Sequence, residues 1–262
     1  MHWGPFDLTG KGVCVTGGGG HLGSAISTML AEAGASVVIV GRNEEALSKV
    51  VRNCESVRGT ISYFVGDISN DETILDVCRE LSTTSEGLTG FVNNAHTKNM
   101  SRGFDFSRQD ASEITEALVS TMVATKLASQ DMINRGAAGS IVNIASIYGL
   151  VSPDPSVYLD YPEMHNPAAY GATKAGILQF TRYAAVHLAK NEIRVNSITP
   201  GAFPNRGTRE NLDFIKMLTK KIPLGRLGVP NEIAGAVIFL MSNASTYITG
   251  SNLVIDGGWT AL

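Results

Sequence analysis

The stretch Gly12-Val13-Cys14-Val15-Thr16-Gly17-Gly18-Gly19-Gly20-His21-Leu22-Gly23 decides how the rest of the chain is read. A short apolar β-branched run passes directly into a glycine cluster. A helical pattern, His21 to Ala33 closed by Gly34, follows at once. Glycines there let the backbone turn tightly and approach a pyrophosphate, and the helix start presents free N–H groups and a partial positive charge. Glycine-rich turns also occur without a ligand, so the surrounding pattern has to support this reading.

It does. Working outward, strand-like runs alternate with helical ones. The strands are Ser36–Val40, Thr60–Val65, Gly90–Asn93, Ser140–Ala145, Arg194–Ile198 and Asn252–Ile255. The helices are Glu44–Val57, Asp71–Leu81, Ala111–Arg135, Ala168–Ala189 and Asn231–Met241. Strands this apolar are buried on both faces, as in a parallel sheet flanked by helices. The expected fold is α/β: one Rossmann-like, doubly wound parallel sheet of about seven strands. With 262 residues and no linker or repeat, the chain reads as a single domain spanning 1–262. Two long segments interrupt the rhythm: 150–167, with Pro153, Pro155, Pro162 and Pro167, and 202–221, whose end reads as a short helix.

Composition narrows the function classes. Lys plus Arg is 21 against 24 Asp plus Glu, a net charge of -3. That balance offers no basic footprint for nucleic acid or an anionic membrane. Hydrophobic residues at 44% and charged residues at 17% describe a globular chain rather than a disordered one. Cys14, Cys54 and Cys78 are odd in number and widely spaced, so neither a disulfide framework nor a zinc site is expected. His21, His96 and His165 have no metal-ligand spacing. Met1 to Asp7 lacks the basic start and apolar run of a signal peptide, and no apolar stretch reaches membrane-span length. A cytoplasmic location is the expectation.

Two groups of residues carry candidate chemistry. The second strand ends in Gly41-Arg42-Asn43. A carboxylate there would accept both adenosine ribose hydroxyls and repel a 2′-phosphate. Glycine in its place, followed by a guanidinium, favours NADP over NAD, although Arg42 can also stack on adenine or be an ordinary solvated residue. Further on, Tyr170 and Lys174 stand four apart on one helix face, preceded by Ser146. A tyrosine ordinarily titrates near 10, and an adjoining ammonium lowers that value. Tyr170 can then act as general acid or base on a carbonyl or alcohol oxygen that Ser146 holds by a hydrogen bond.

These pieces together resemble the short-chain dehydrogenase/reductase family over essentially the whole chain. The matching residues are Thr16 to Gly23, Asp67 after the third strand, Asn93-Asn94-Ala95, Ser146, Tyr170/Lys174, Arg194-Val195-Asn196 with Pro200-Gly201, and Ile248-Thr249-Gly250 through Asp256-Gly257-Gly258. Length and tail are of the classical type. The spacing Gly17, Gly20, Gly23 is similar to that of the extended branch, with His21 where the middle glycine usually stands.

The resemblance implies NAD(P)-dependent hydride exchange between an alcohol and a carbonyl. It makes Tyr170 the proton donor or acceptor, Lys174 the ligand of the nicotinamide ribose and Ser146 the substrate-orienting hydroxyl. Thr16, Gly17, Gly20, His21, Leu22, Gly23, Arg42, Asp67, Ile68, Asn94, Ala95, Pro200 and Gly201 become cofactor contacts. It also implies a homotetramer built on the long helices.

Departures from the pattern matter as much. His96 replaces a glycine at the expected nicotinamide end and is a candidate substrate contact. A relay asparagine is missing, and Thr121, with Ser120 beside it, takes its place. The Ser146–Tyr170 interval is lengthened to 23 residues, 147 to 169, carrying Tyr158, Asp160, Tyr161, Glu163, His165 and Asn166. Tyr148, Tyr158 and Arg206 are the remaining candidate substrate contacts. The polar insert, and a weaker likeness around Ser146–Asp154 to bacterial carbohydrate and nonulosonic-acid pathway reductases, point to a sugar, polyol or sugar-derived substrate. The competing reading is a catalytically silent dinucleotide-binding sensor, for which the trio Ser146, Tyr170 and Lys174 would have no use.

Overall fold

A computed structural model describes residues 3–54, 56–85, 87–96 and 101–262. The strands are β1 (Gly12–Thr16), β2 (Ser36–Gly41), β3 (Thr60–Val65), β4 (Leu88–Asn93), β5 (Gly139–Ile144), β6 (Ile193–Pro200) and β7 (Asn252–Ile255). Between them run α1 (His21–Glu32), α2 (Glu44–Arg52), α3 (Asp71–Thr84), α4 (Arg108–Asn134), the single-turn α5 (Pro155–Tyr158), α6 (Ala168–Leu188), α7 (Arg206–Arg209), α8 (Leu212–Lys220) and α9 (Pro230–Met241). The strands form one seven-stranded sheet, ordered β3-β2-β1-β4-β5-β6-β7, and every pairing is parallel.

Both faces of the sheet are covered. On one side, Ile26 and Leu30 of α1, Leu47 of α2 and Ile233 to Met241 of α9 pack on Val13, Val15, Val37 and Ile39. On the other, Ile74 and Leu81 of α3, Ala124 to Met132 of α4 and Ala184 of α6 pack on Cys14, Val38, Phe91 and Ile141. Alternate residues of one strand thus serve opposite cores, which is why these strands read as continuous apolar runs.

The chain runs outward through β2 and β3, then returns to place β4 on the far side of β1. That reversal opens a crevice at the carboxyl ends of β1 and β4, where ligands of open α/β sheets bind.

One element differs materially from the expectation. α2 ends at Arg52 rather than Val57, because Asn53 takes the cap and Cys54 turns into the core against Thr28 (3.2 Å). Glu55, within the expected helix, and Met1 and His2, within the expected leader-free start, lie outside the described residues. Among the described residues no helix is long and apolar enough to cross a membrane.

Candidate active site

The glycine turn is held from several sides. Gly17 adopts φ +66°, and a Cβ on Gly23 would stand 2.2 Å from the Gly17 carbonyl oxygen. The first turn of α1 therefore sits directly on the loop, and only glycine permits it. Thr16 Oγ1 donates to the Val92 carbonyl (3.2 Å) and accepts the N–H groups of Asn94 (3.0 Å) and Ala95 (3.1 Å). Asn94 Nδ2 donates to the carbonyls of Thr16 (3.0 Å) and Gly17 (3.2 Å). The expected ribose contact thus spends its amide on clamping β4 to the turn.

α1 starts at Gly20 with no side-chain cap, so its first N–H groups are left for an anion. Beside them, burial and the Arg209 guanidinium hold the His21 imidazole below its ordinary pKa, in the neutral form at neutral pH.

From this turn a cleft of about 910 Å³ runs along the carboxyl ends of the strands. Gly17, Gly20, His21, Leu22, Arg42, Asp67, Ile68, Asn94, Ala95, His96, Ser146, Tyr170, Lys174, Pro200 and Gly201 all line it. Thr16 and Gly23 lie beneath, supporting the turn. A carboxylate side chain is absent at Gly41, and a Cβ there would meet only Leu47 at 3.5 Å, an ordinary contact. Arg42 pairs with Asp67 at 3.7 Å, in a largely exposed and hence weak bond. Glycine loop, free helix N–H groups and an elongated cleft fit a dinucleotide.

The three chemical residues come from adjacent elements. Ser146 directly follows β5 and accepts the Tyr148 N–H (3.3 Å). Tyr170 and Lys174 are on successive turns of α6. Lys174 is buried; its Nζ donates to the Ile144 carbonyl (2.9 Å) and stands 5.7 Å from the centre of the Tyr170 ring.

The electrostatics depart from the expected ammonium-lowered phenol. Burial raises the Tyr170 pKa above its ordinary value, and a hydrogen bond with Ser146 opposes that rise. The same burial lowers Lys174 to about 8. In the protein alone, Tyr170 therefore holds its proton at neutral pH.

Other expected residues fall elsewhere. Thr121 faces away from the cleft and donates to the Ala117 carbonyl (2.8 Å), while Ser120 lines the cleft and bonds Glu116 (3.4 Å). Glu113, Glu116, Ala117 and Ser120 form one helical stripe along the cleft wall, and their 3–4–7 spacing is the signal in the sequence that marks it. Arg206 lies outside the lining of both cavities: its side chain is 97% exposed and approaches Glu210 at 4.0 Å. Arg209 donates to the carbonyls of Pro204 (3.0 Å) and Gly228 (2.8 Å), which braces the loop.

Residues of the long insert line a second cavity, of about 410 Å³, with Leu150, Val151, Pro153, His165 and Asn166 in its wall. Tyr148 and Tyr170 also line it, so it adjoins the cleft at Tyr170. Tyr158 is buried beneath; its hydroxyl bonds that of Tyr148 and its ring stacks on His165 at 4.6 Å.

A family model described as enoyl-(acyl carrier protein) reductase, of the short-chain alcohol dehydrogenase type, matches residues 20–260. The chain belongs to the short-chain dehydrogenase/reductase family. It is 32% identical over 264 residues to a 2,5-dichloro-2,5-cyclohexadiene-1,4-diol dehydrogenase of Sphingobium indicum, covering 98% of this chain and 99% of that one. A short-chain type dehydrogenase/reductase from Mycobacterium marinum superposes with a TM-score of 0.88 at 29% identity, covering 98% of each chain. A gluconate 5-dehydrogenase from Burkholderia cenocepacia J2315, solved with NADP and tartrate, gives 0.85 at 28% identity, again over 98% of each. At this level the short-chain dehydrogenase/reductase described here is an NAD(P)-dependent oxidoreductase.

Proposed function

We propose that this enzyme interconverts a secondary alcohol and a ketone on a small oxygenated substrate of the sugar or polyol kind, with NADP(H) preferred. The observation that carries the reading is the convergence of Ser146, Tyr170 and Lys174 on the cleft that begins at the glycine turn. When bound, the cofactor supplies or takes up the hydride. In reduction, the Tyr170 hydroxyl gives its proton to the carbonyl oxygen, which Ser146 holds by a hydrogen bond, as hydride reaches the carbon. In oxidation the alcohol proton returns to the Tyr170 oxygen. The raised Tyr170 pKa keeps the phenol protonated at neutral pH, so the proton for reduction is present on the residue. In this reading Lys174 binds a ribose hydroxyl and stabilises the phenolate; its hydrogen bond to the Ile144 carbonyl, which fixes the amine at the cleft, supports that role.

Three features support the finer points. Gly41 and Arg42 replace the carboxylate that would repel a 2′-phosphate, and the Burkholderia relative was solved with NADP. The Sphingobium and Burkholderia relatives are named for a cyclic diol and a sugar acid. Val119 and Met122 on α4, with Tyr183 and Val186 on α6, leave apolar side chains exposed, which supports self-association through the long helices.

The test is a panel of sugars, polyols, cyclic alcohols and ketones with NADP(H) and NAD(H), followed at the nicotinamide absorbance, with Tyr170→Phe alongside. Turnover lost in that variant is expected. Tight cofactor binding with no turnover on any member would replace this reading with the sensor.

A further inference from the structure

Tyr148 stands two residues after Ser146, on the wall between the reaction centre and the insert. Its backbone N–H donates to Ser146 Oγ (3.3 Å), and its side chain is near enough to Tyr170 for that phenol to oppose its ionisation. Its hydroxyl bonds that of Tyr158, a residue the insert contributes. Burial raises the pKa of both phenols, so both remain neutral.

Two neutral phenols carry two protons. One serves the bond between them, and no other acceptor for either appears among the described residues. The proton-donating partner is set by burial. Tyr158 is enclosed, stacked on His165 and packed on Phe214 at 5.8 Å, so an unused O–H there would be costly. Tyr148 is half-buried, less enclosed than Tyr158, and contributes to the wall of the 410 Å³ cavity that Tyr170 also lines. The low-cost arrangement has Tyr158 donating to Tyr148, and Tyr148 keeping its own O–H for something in the cavity. Leu150, Val151 and Pro153 give that wall a largely apolar stretch beside Ser152, His165 and Asn166, and the Tyr148 hydroxyl adds a directional contact at the Tyr170 end.

We propose that Tyr148, oriented by Tyr158, is a substrate-specificity residue that donates a hydrogen bond to a second oxygen beside the reacting carbon, so that the site prefers diols and hydroxyketones to mono-alcohols. This rests on the alcohol–ketone reading above and adds to it a substrate class and the residue that selects it.

The test uses the full-length enzyme with saturating NADP+ and two probes, cyclohexanol and trans-1,2-cyclohexanediol. The parent enzyme is expected to show a kcat/KM ratio favouring the diol. Tyr148→Phe should lower that ratio about tenfold, the worth of one hydrogen bond to substrate, chiefly through the KM of the diol. Tyr158→Phe, which keeps the Tyr148 hydroxyl but removes its orienting partner, should lower the ratio by a smaller factor. Either variant alone suffices should the other not fold. A ratio unchanged in the folded variant, with both probes turned over, overturns the role of Tyr148 and leaves the alcohol–ketone reading intact. No turnover of either probe or of any alcohol in the wider panel overturns that reading, and this inference with it.

Discussion

The Lys174 ammonium stands 5.7 Å from the centre of the Tyr170 ring, held by the Ile144 carbonyl at 2.9 Å rather than by the phenol oxygen. The amine is thus fixed by the sheet end, independently of the tyrosine one turn earlier. Removing the phenol oxygen should leave the lysine, and the cofactor cleft around it, in place. Tyr170→Phe is therefore expected to lower kcat by about 10²–10⁴, the range of a lost general acid, while the dissociation constant for NADPH changes less than threefold, or about 0.6 kcal/mol. Steady-state kinetics and a fluorescence titration check the two halves.

Burial also makes Lys174 a pH-dependent liability to the fold. Its pKa is about 8 in the folded chain against 10.5 for an unperturbed side chain. Below pH 8 both states carry the proton, and the buried charge costs the native state about 3 kcal/mol relative to a solvated one. From pH 8 upward the folded chain releases the proton first, and the cost is relieved progressively towards pH 10.5. Between pH 7 and 9.5 this residue should therefore make the ligand-free enzyme gain stability. Lys174→Met should remove that gain. Urea midpoints for both proteins at pH 7 and 9.5 test it; the difference between the two proteins cancels the titration of other groups.

The glycine turn makes a sharper steric prediction. A methyl group on Gly23 would meet the Gly17 carbonyl at 2.2 Å, whereas one on Gly20 meets the same oxygen at 3.1 Å. Gly23→Ala must move backbone, so it should lower stability by about 1–3 kcal/mol and weaken NADPH binding more than tenfold. Gly20→Ala should leave the melting temperature close to the parent's and reduce cofactor affinity alone. Thermal melts with and without NADPH separate the two.

How much of this was legible beforehand depended on whether the signal was local. The order of strands and helices showed because the central strands β1, β2, β4, β5 and β6 are buried on both faces and read as continuous apolar runs. Tyr170 and Lys174 showed because four residues make one helical turn. Thr121 failed for the same geometric reason: a one-residue shift rotates a side chain by about 100°, and the cleft receives Ser120 instead. Arg206 failed because exposure is a property of the fold and not of residue type. The raised Tyr170 pKa was missed because desolvation depends on everything packed around the ring.

Cofactor choice is testable at the end of β2. The Gly41 position has room for a side chain, and among the described residues Arg42 is tied to the largely exposed Asp67 at 3.7 Å. Gly41→Asp would place an anion where a 2′-phosphate lies and offer acceptors to ribose hydroxyls. The ratio of NADPH to NADH affinity should fall about 100-fold, equivalent to about 2.7 kcal/mol. Arg42→Ala should lower the same ratio about tenfold, or about 1.4 kcal/mol. Equal effects on both cofactors would remove Arg42 from the specificity argument.

The insert and the segment after β6 share one small core, which no local pattern announces because its members are far apart in sequence. Val157 and Tyr158 of α5 pack with Phe214 and Leu218 of α8, Tyr161 reaches Phe214 at 5.3 Å, and Asp154 pairs with Lys221 at 2.6 Å. Phe214 is buried at the centre of this cluster. Its truncation removes the shared surface from both segments at once, at a local cost of about 3–5 kcal/mol. Phe214→Ala should therefore speed hydrogen exchange in α5 and α8 together, while β1, β4 and β5 keep the parent's protection. Because Tyr148 belongs to the same cluster, substrate KM should rise several-fold with little change in NADPH affinity. Loosening of α8 with α5 still protected would show that the two segments are independent, and that the insert does not depend on α8 for its shape.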